Sequence, residues 1–202
     1  DHRPVIVDFV LPLQAASGPP ILSSFTPDPA SVAFNQTIDF TLNAFDPDGS
    51  IVGDIEFFED TNNNGNFDGG DALIGTETPS APAGASVVLF QIAPSDFLTR
   101  PQFDALVGST KRIFARAQDN QGQFGSASVE ISPILLAPEI DSFSATPNSV
   151  DYVTPLLVQA TASDSDGSVV LLEVLFDTND NNTLDAGDDV VASVMPAMPS
   201  GS

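Results

Sequence analysis

The sequence predicts an all-β protein made of antiparallel sandwiches, and three observations support this prediction. Short apolar or alternating runs recur between clusters of turn-forming residues, and no window shows a sustained helical period. The 17 prolines and 14 glycines punctuate these runs. The chain also repeats itself along its length, so the fold of the first repeat should begin again in the second.

Within the first repeat we expect about seven short strands. The apolar runs that predict strands lie at 37–45, 51–58, 85–92, 112–117 and 126–131. We also expect one short helical turn within 94–108. About seven strands in a repeat of 118 residues are typical of an immunoglobulin-like antiparallel β-sandwich.

The internal repeat predicts the domain organisation. Two stretches recur at an offset of 118 residues, namely 20–25 at 138–143 and 46–50 at 164–168. One residue is then dropped, so that Asp60 matches Asp177. We therefore expect tandem immunoglobulin-like sandwiches, the first complete at 19–136 and the second incomplete, its first half of about four strands lying at 137–202.

Residues 1–18 do not begin a repeat. Residues 5–12 resemble residues 128–133, which form the predicted closing strand of the first repeat. We interpret 1–18 as the closing strand of a preceding repeat, or as a donor strand, followed by a linker. Two explanations stay open: the chain is a piece of a longer array, or neighbouring subunits supply the strands that the half-repeat lacks.

Two stretches of twelve residues have the ligand spacing of a calcium loop. In 60–71 and 177–188, oxygen-bearing side chains occupy positions 1, 3, 5, 9 and 12, while position 7 offers its backbone carbonyl. The predicted ligands are Asp60, Asn62, Asn64, Asn66 (carbonyl), Asp68 and Asp71 in the first loop, and Asp177, Asn179, Asn181, Thr183 (carbonyl), Asp185 and Asp188 in the second. The flanking residues are strand-like, so each loop should join two strands.

The remaining loop positions fit the same prediction. Position 6 needs a positive φ, and Gly65 or Asn182, the residue types that tolerate it best, stands there. An apolar residue, Phe67, follows at position 8 of the first loop. Position 12 is Asp rather than the longer Glu, and each loop has three carboxylates among its predicted ligands. This donor set predicts modest calcium affinity, suited to surroundings outside the cell.

Two Asp-x-Asp-Gly turns form a weaker candidate site, although the same residues are ordinary turn formers. Their predicted calcium ligands are Asp46, Asp48, Asp164 and Asp166. A strand of nine residues separates such a turn from the following loop by roughly 30 Å. The topology therefore predicts that the 60–71 loop approaches the second turn, where a cation would stiffen the joint between repeats. It also brings Asp119 and Asn120 to the first turn.

The motifs resemble those of a known group of proteins. Residues 25–29 leading to Phe-Asp-Pro-Asp-Gly-Ser-Ile at 45–51, residues 55–58 before the calcium loop, and 73–76 and 114–122 after it are similar to the tandem bacterial immunoglobulin-like repeats of large secreted and cell-surface proteins. The resemblance covers nearly all of 19–202. It implies an extracellular β-sandwich array that serves as a stalk, an adhesin or surface-coat material.

Composition argues against several classes of function. The chain has 28 Asp and Glu residues against 5 Lys and Arg residues, a net charge of −23, which disfavours nucleic acid and anionic membrane surfaces. No apolar run approaches about 18 residues, so we expect no membrane insertion. There is no Cys, and the single histidine is His2 beside the terminus. The clustered acids lie in solvated turns, where nothing would raise a pKa for acid catalysis. We therefore predict that the protein is not an enzyme.

The sequence thus predicts an extracellular or cell-surface structural or adhesive repeat, rigidified by calcium. Its expected partners are further copies of the repeat or subunit, with a surface protein or glycan as a further possible ligand. One alternative is a filament subunit assembled by β-strand exchange between chains. Another is a carbohydrate- or protein-binding accessory module of a secreted enzyme, although Trp is absent and Tyr152 is the only tyrosine.

Overall fold

A computed structural model describes residues 17–82, 84–149, 151 and 153–195. The protein is nearly all β, with antiparallel sheets, as predicted. In chain order the elements are β1 (Ile21–Asp28), β2 (Ser31–Val32), β3 (Ile38–Phe45), β4 (Ile51–Glu59), β5 (Ala72–Glu77), β6 (Ser86–Ile92), a 3₁₀ turn (Pro94–Asp96), α1 (Arg100–Asp104), β7 (Lys111–Asp119), β8 (Phe124–Pro133), β9 (Glu139–Thr146), β10 (Leu157–Ser163), β11 (Leu172–Phe176) and β12 (Asp189–Val194). The donor or closing strand predicted at 5–11 lies outside the described residues.

The five strands predicted from apolar runs are confirmed as β3, β4, β6, β7 and β8, with ends that differ by at most two residues. Helical structure within 94–108 is also confirmed, by the 3₁₀ turn and α1. The apolar pattern did not single out β1, β2 and β5, which are all edge strands. β1 and β5 have no fully buried residue and no strict alternation, and β2 has only two residues, so none of the three leaves a clear apolar pattern. β6 is also an edge strand, but it alternates strictly and was predicted.

The first compact unit comprises 17–31, Thr37–Ile92 and Ser109–Ser132. One sheet has the strand order β1-β3-β6 and the other β2-β8-β7-β4-β5. The strands of the sheets alternate buried and exposed side chains, most regularly along β6. This period of two places one apolar face of each sheet toward the core.

Aromatic rings join the two sheets of this unit. Phe57 of β4 stacks on Phe90 of β6 with ring centroids 4.3 Å apart. Phe25 of β1 lies 6.0 Å from Phe57 and 5.7 Å from Phe40 of β3. Phe40 and Phe57 are completely buried. Because these rings come from opposite sheets, the sheets face each other as a β-sandwich.

The second compact unit comprises Val32–Gln36, Ala93–Gly108 and the described part of 133–195. Phe103 of α1 is fully buried and packs edge-on against Phe34, 5.4 Å between centroids. Four strands follow, as predicted for the half-repeat, in two two-stranded sheets, β9-β10 and β11-β12. An open apolar cleft of about 800 Å³ is lined by residues of β10, β11 and β12.

The irregularities of the strands recur along the chain. In the β4-β5 ladder, Ile74 is an extra residue between the pairs Phe57–Gly75 and Phe58–Leu73. In the β11-β12 ladder, Val191 is the extra residue at the corresponding place. β1 and β9 span matching residues at the offset of 118. The domain boundaries at 18/19 and 136/137 stay predictions.

Candidate metal-binding loops

The two predicted calcium loops connect neighbouring antiparallel strands. The first, 60–71, lies between the end of β4 and the start of β5, and the second, 177–188, lies between β11 and β12. Neither loop is flanked by helices, as the sequence predicted. Each loop is therefore held at both ends by a hydrogen-bonded ladder, which restricts the positions of its first and last residues.

The first half of the 60–71 loop wraps around the carboxylate of Asp60, which is only 1% exposed. The backbone N–H groups of Asn64 and Gly65 donate to its two oxygens at 3.1 and 2.8 Å. Gly65 has φ of 75°, so the positive φ predicted for position 6 is present. A backbone folded around the position-1 carboxylate places the following alternate side chains on one side of the loop.

The side chains at positions 3, 5 and 9 converge. The amide nitrogens of Asn64 and Asn62 donate to the same oxygen of Asp68, Oδ2, at 2.7 and 3.4 Å. The amide oxygens of the same two residues accept the backbone N–H groups of Asn64 and Asn66 at 3.0 and 2.6 Å. Three of the predicted ligand side chains therefore meet at one point.

Asp71, at position 12, carries the clearest sign of a missing partner. Its Oδ2 accepts the backbone N–H of Asp68 at 2.8 Å. Its Oδ1 is shielded from solvent and has no hydrogen-bond partner. A buried carboxylate oxygen without a partner is costly, and a cation is the species that removes this cost most directly.

The 177–188 loop repeats this geometry. Backbone N–H groups of Asn181 and Asn182 donate to Asp177 at 3.2 and 2.8 Å, and Asn182 has φ of 57° in place of the glycine. The amides of Asn181 and Asn179 donate to Asp185 Oδ2 at 2.7 and 3.3 Å. The N–H of Thr183, a predicted carbonyl ligand, donates to Asn181 Oδ1 at 2.7 Å. At position 12, Asp188 Oδ2 accepts the N–H of Asp185 at 3.0 Å, and Asp188 Oδ1 is again buried and unpartnered.

The position-9 carboxylates are held in their ionised form. The backbone N–H of Gly70 lowers the pKa of Asp68 most, followed by the amides of Asn64 and Asn62. The backbone N–H of Gly187, followed by the amides of Asn181 and Asn179, lowers the pKa of Asp185 in the same way. Hydrogen bonds that favour the charged form of a carboxyl group also prepare it to bind a cation.

The lowered pKa values predict an acid-dependent loss of stability in the calcium-free chain. Because the folded pKa of Asp68 and Asp185 lies below the unfolded value of about 3.9, the unfolded chain binds more protons in acid. The stabilisation should therefore be complete above the unfolded pKa and disappear as the pH falls through the folded values. NMR titration of the side-chain carboxyl carbons measures both midpoints. Midpoints at or above the ordinary aspartate value would contradict the prediction.

Two basic side chains at the start of β7 donate hydrogen bonds to the first loop. The sequence did not predict that they belong to the site. Lys111 Nζ is buried, lies 2.7 Å from Glu59 Oε2, and donates to the carbonyl of Asp60 and to Asn63 Oδ1. Arg112 Nη1 donates to the carbonyl of Gly65 at 3.1 Å. The available signal was the adjacent Lys-Arg pair in a chain with only 5 basic residues.

Phe67, at position 8, anchors the loop to the outer face of the five-stranded sheet. Its ring lies 4.9 Å from Phe58 and 5.5 Å from Phe114. The guanidinium of Arg116 stands 5.3 Å from the Phe67 centroid and also binds Glu56. Its counterpart in the second loop, Leu184, is 76% exposed. The first loop is therefore packed against its sheet to a degree that the second is not.

The Asp-x-Asp-Gly turns adopt ordinary turn hydrogen bonds and an additional one to the chain that enters each repeat. Asp46 Oδ1 accepts the N–H groups of Asp48 and Gly49, each at 3.1 Å. Asp48 Oδ2 accepts the N–H of Gly18 at 3.2 Å. In the second turn, Asp164 Oδ1 accepts the N–H of Asp166 at 3.2 Å, and Asp166 Oδ2 accepts that of Leu136 at 3.0 Å. The predicted approach of the 60–71 loop to the Asp164 turn stays a prediction.

Among the described residues, no group of three or more His, Cys, Asp and Glu side chains lies close enough to hold a metal ion by itself. Carboxylates are only three of the six predicted donors in each loop, and amide and main-chain oxygens make up the others. The loops thus offer the mixed oxygen set that calcium accepts. They lack the His and Cys ligands that zinc prefers.

Comparison with models of known protein families finds no match, and comparison with curated protein sequences finds none either. In the part of the chain that the structure describes, no helix is both long enough and apolar enough to span a membrane.

Proposed function

We propose that this protein is a calcium-stiffened, immunoglobulin-like structural or adhesive repeat of an extracellular or cell-surface array, without enzymatic activity. One observation carries the proposal. Two loops 117 residues apart have the same internal hydrogen bonds, and both leave the position-12 carboxylate oxygen buried and unpartnered. An ordinary hairpin loop has no need to bury such an oxygen twice at the same position.

The converging amides support calcium as the ion. Asn62 and Asn64 direct their nitrogens at Asp68 Oδ2. Because the oxygen and nitrogen of an amide are nearly isosteric, rotation about the terminal bond turns an oxygen to the same point. The rotation gives up the hydrogen bonds from the backbone N–H groups of Asn64 and Asn66, a loss that coordination of the ion would have to offset. With the carboxylates of Asp60, Asp68 and Asp71 and a main-chain carbonyl, six oxygens become available. This number is the lower end of the range that calcium takes.

The charge of the chain gives the ion a mechanical role. Residues 19–136 contain 15 acidic and 4 basic residues, and residues 137–202 contain 11 acidic residues and no basic one. Repulsion of this kind weakens a compact state, and bound divalent cations relieve it. A calcium-loaded array would be stiff, and a calcium-free one would be looser.

The titratable groups support a non-enzymatic role. Within the described residues, every carboxyl group with a resolved shift has a lowered pKa, namely those of Asp68, Glu130, Asp151 and Asp185. A general acid at neutral pH needs the opposite shift. The single histidine, His2, lies outside the described residues.

The proposal is tested by thermal unfolding of the 202-residue chain in calcium and in chelator. Calcium about a hundredfold above its Kd should stabilise by about 2.7 kcal/mol for each site, which raises the midpoint of a domain of about 100 residues by about 10–20 °C. The double variant Asp71→Asn, Asp188→Asn should lose the part of this shift that the two loops supply, because each substitution removes the charge at position 12. Each asparagine keeps an acceptor for the neighbouring N–H. Without calcium it should be at least as stable as the wild type.

Asp54→Asn is the matched control, because Asp54 is an exposed aspartate on β4 that lies outside both loops and accepts a hydrogen bond from the Thr78 hydroxyl. It removes one negative charge, as each substitution of the double variant does, and should keep the full calcium shift. An equal shift in the wild type and in the double variant would refute the assignment of calcium to these loops.

Strand exchange between chains is the second candidate, and the open apolar cleft of the second unit favours it. Sedimentation that depends on protein concentration would support exchange, and a monomer at all concentrations would reject it.

A further inference from the structure

A second group of buried acids lies at Asp46 and Asp119, away in sequence from the twelve-residue loops. Asp46 follows β3 directly and is 8% exposed, and Asp119 ends β7 and is 1% exposed. Asp119 is paired in register with Ile51, the first residue of β4. The ladder therefore brings the end of β7 beside the turn that Asp46 begins.

In each of the two carboxylates, only one oxygen accepts hydrogen bonds. Asp119 Oδ1 accepts the N–H groups of Gln121 and Gln123 at 2.8 and 2.7 Å. Asp46 Oδ1 accepts the N–H groups of Asp48 and Gly49. The other oxygen of each residue, Oδ2, is shielded from solvent and has no hydrogen-bond partner. Two buried, unpartnered carboxylate oxygens are a large electrostatic cost in a chain of this charge.

The turn at Gly49 brings the side-chain oxygen of Asn120, the residue after Asp119, close to Asp46. A Cβ on Gly49 would lie 2.8 Å from Asp46 Oδ2 and 2.4 Å from Asn120 Oδ1, so only glycine leaves room for both. The backbone N–H of Asn120 donates to the carbonyl of Ser50 at 3.0 Å, which ties the β7 end to the same turn. Side-chain oxygens from two distant segments are therefore gathered around one residue.

We propose that Asp46, Asp119 and Asn120 bind a divalent cation of the calcium class at this end of the first unit. The unpartnered Oδ2 atoms of the two aspartates are its charged ligands, and Asn120 Oδ1 is a neutral one. Asp48, which accepts the N–H of Gly18, couples the site to the chain that enters the repeat. The ion is of the same kind as in the proposed function, but the site shares no residue with the 60–71 loop and does not depend on it.

A cation-binding aspartate and a purely structural one should respond differently to substitution in calcium and in chelator. In Asp119→Asn, Oδ1 still accepts the N–H groups of Gln121 and Gln123, while an uncharged amide replaces the unpartnered oxygen. In chelator the variant should therefore unfold at the same midpoint as the wild type or at a higher one. In calcium it should unfold at a lower midpoint and bind one ion fewer, as measured by equilibrium dialysis against calcium alone.

Asp46→Asn, on the opposite side of the turn, should reproduce both results, and Asp54→Asn should reproduce neither. A variant that is destabilised equally in calcium and in chelator, with unchanged ion binding, would overturn the proposal and leave Asp119 a structural residue. Combination with Asp71→Asn, Asp188→Asn separates the two hypotheses. If only the ion sensitive to Asp119 remains in that background, the sites are independent. If the loops bind nothing in the wild type, the proposed function fails while this site stands.

Discussion

Phe57→Ala should lower the free energy of unfolding by about 3–5 kcal/mol, the range found when a buried phenylalanine is truncated. Phe57 is completely buried on β4, stacks on Phe90 at 4.3 Å and contacts Phe25. It therefore joins the two sheets, because it packs against two rings of the opposite sheet, one on β6 and one on β1. Alanine would leave a cavity at the centre of the sandwich that the surrounding strands cannot fill. Urea unfolding at constant calcium measures the change.

Phe124→Ala is the matched control for this prediction. Phe124 lies on β8 with 53% of its surface exposed, and its ring contacts the Arg116 guanidinium at 4.9 Å. Loss of an exposed cation–π contact should cost about 0.5–1 kcal/mol. If the two substitutions cost the same, the ring stack does not organise the core.

Lys111→Met should destabilise the first unit by about 3–5 kcal/mol, because it leaves the carboxylate of Glu59 buried without a counter-charge. The two side chains are 4% and 8% exposed, and their charged atoms lie 2.7 Å apart. The methionine keeps the apolar stem of the lysine but removes the donor to Asp60 and Asn63. The calcium affinity of the 60–71 loop should fall as well, since the loop loses the two hydrogen bonds that fix its first residues.

The double variant Lys111→Met, Glu59→Gln distinguishes a lost charge from lost packing. It should recover most of the stability, because no buried charge is left unpaired. Arg100→Met, which breaks the exposed pair with Asp104, should cost less than about 1 kcal/mol. A double variant as unstable as Lys111→Met alone would contradict the electrostatic explanation. Chemical unfolding of the three variants in parallel gives the comparison.

The geometry of both twelve-residue loops could be predicted from the sequence because it is local. The hydrogen bonds within the 60–71 loop join residues no more than six positions apart. Oxygen-bearing side chains at alternate positions, with glycine or asparagine where φ is positive, are enough to specify such a turn. The central strands could be predicted for a related reason: burial on one face imposes a period of two on neighbouring residues.

Three strands, β1, β2 and β5, and the basic side chains that contact the first loop could not be predicted in this way. β1, β2 and β5 bury too little surface to leave a clear apolar pattern. Lys111 meets the Asp60 carbonyl across 51 residues of chain, and Arg112 meets Gly65 across 47. These contacts depend on the β4-β7 register, which no local pattern encodes.

The sequence by itself determined the strand-forming runs, the repeat and the two twelve-residue loops, because each depends on residues that are neighbours along the chain. It also suggested that Asp119 joins Asp46. Only the tertiary structure decided that both aspartates are buried and that one oxygen of each is left without a partner. Burial and the loss of hydrogen-bond partners arise from packing between distant segments, so they appear only when the sheets are assembled.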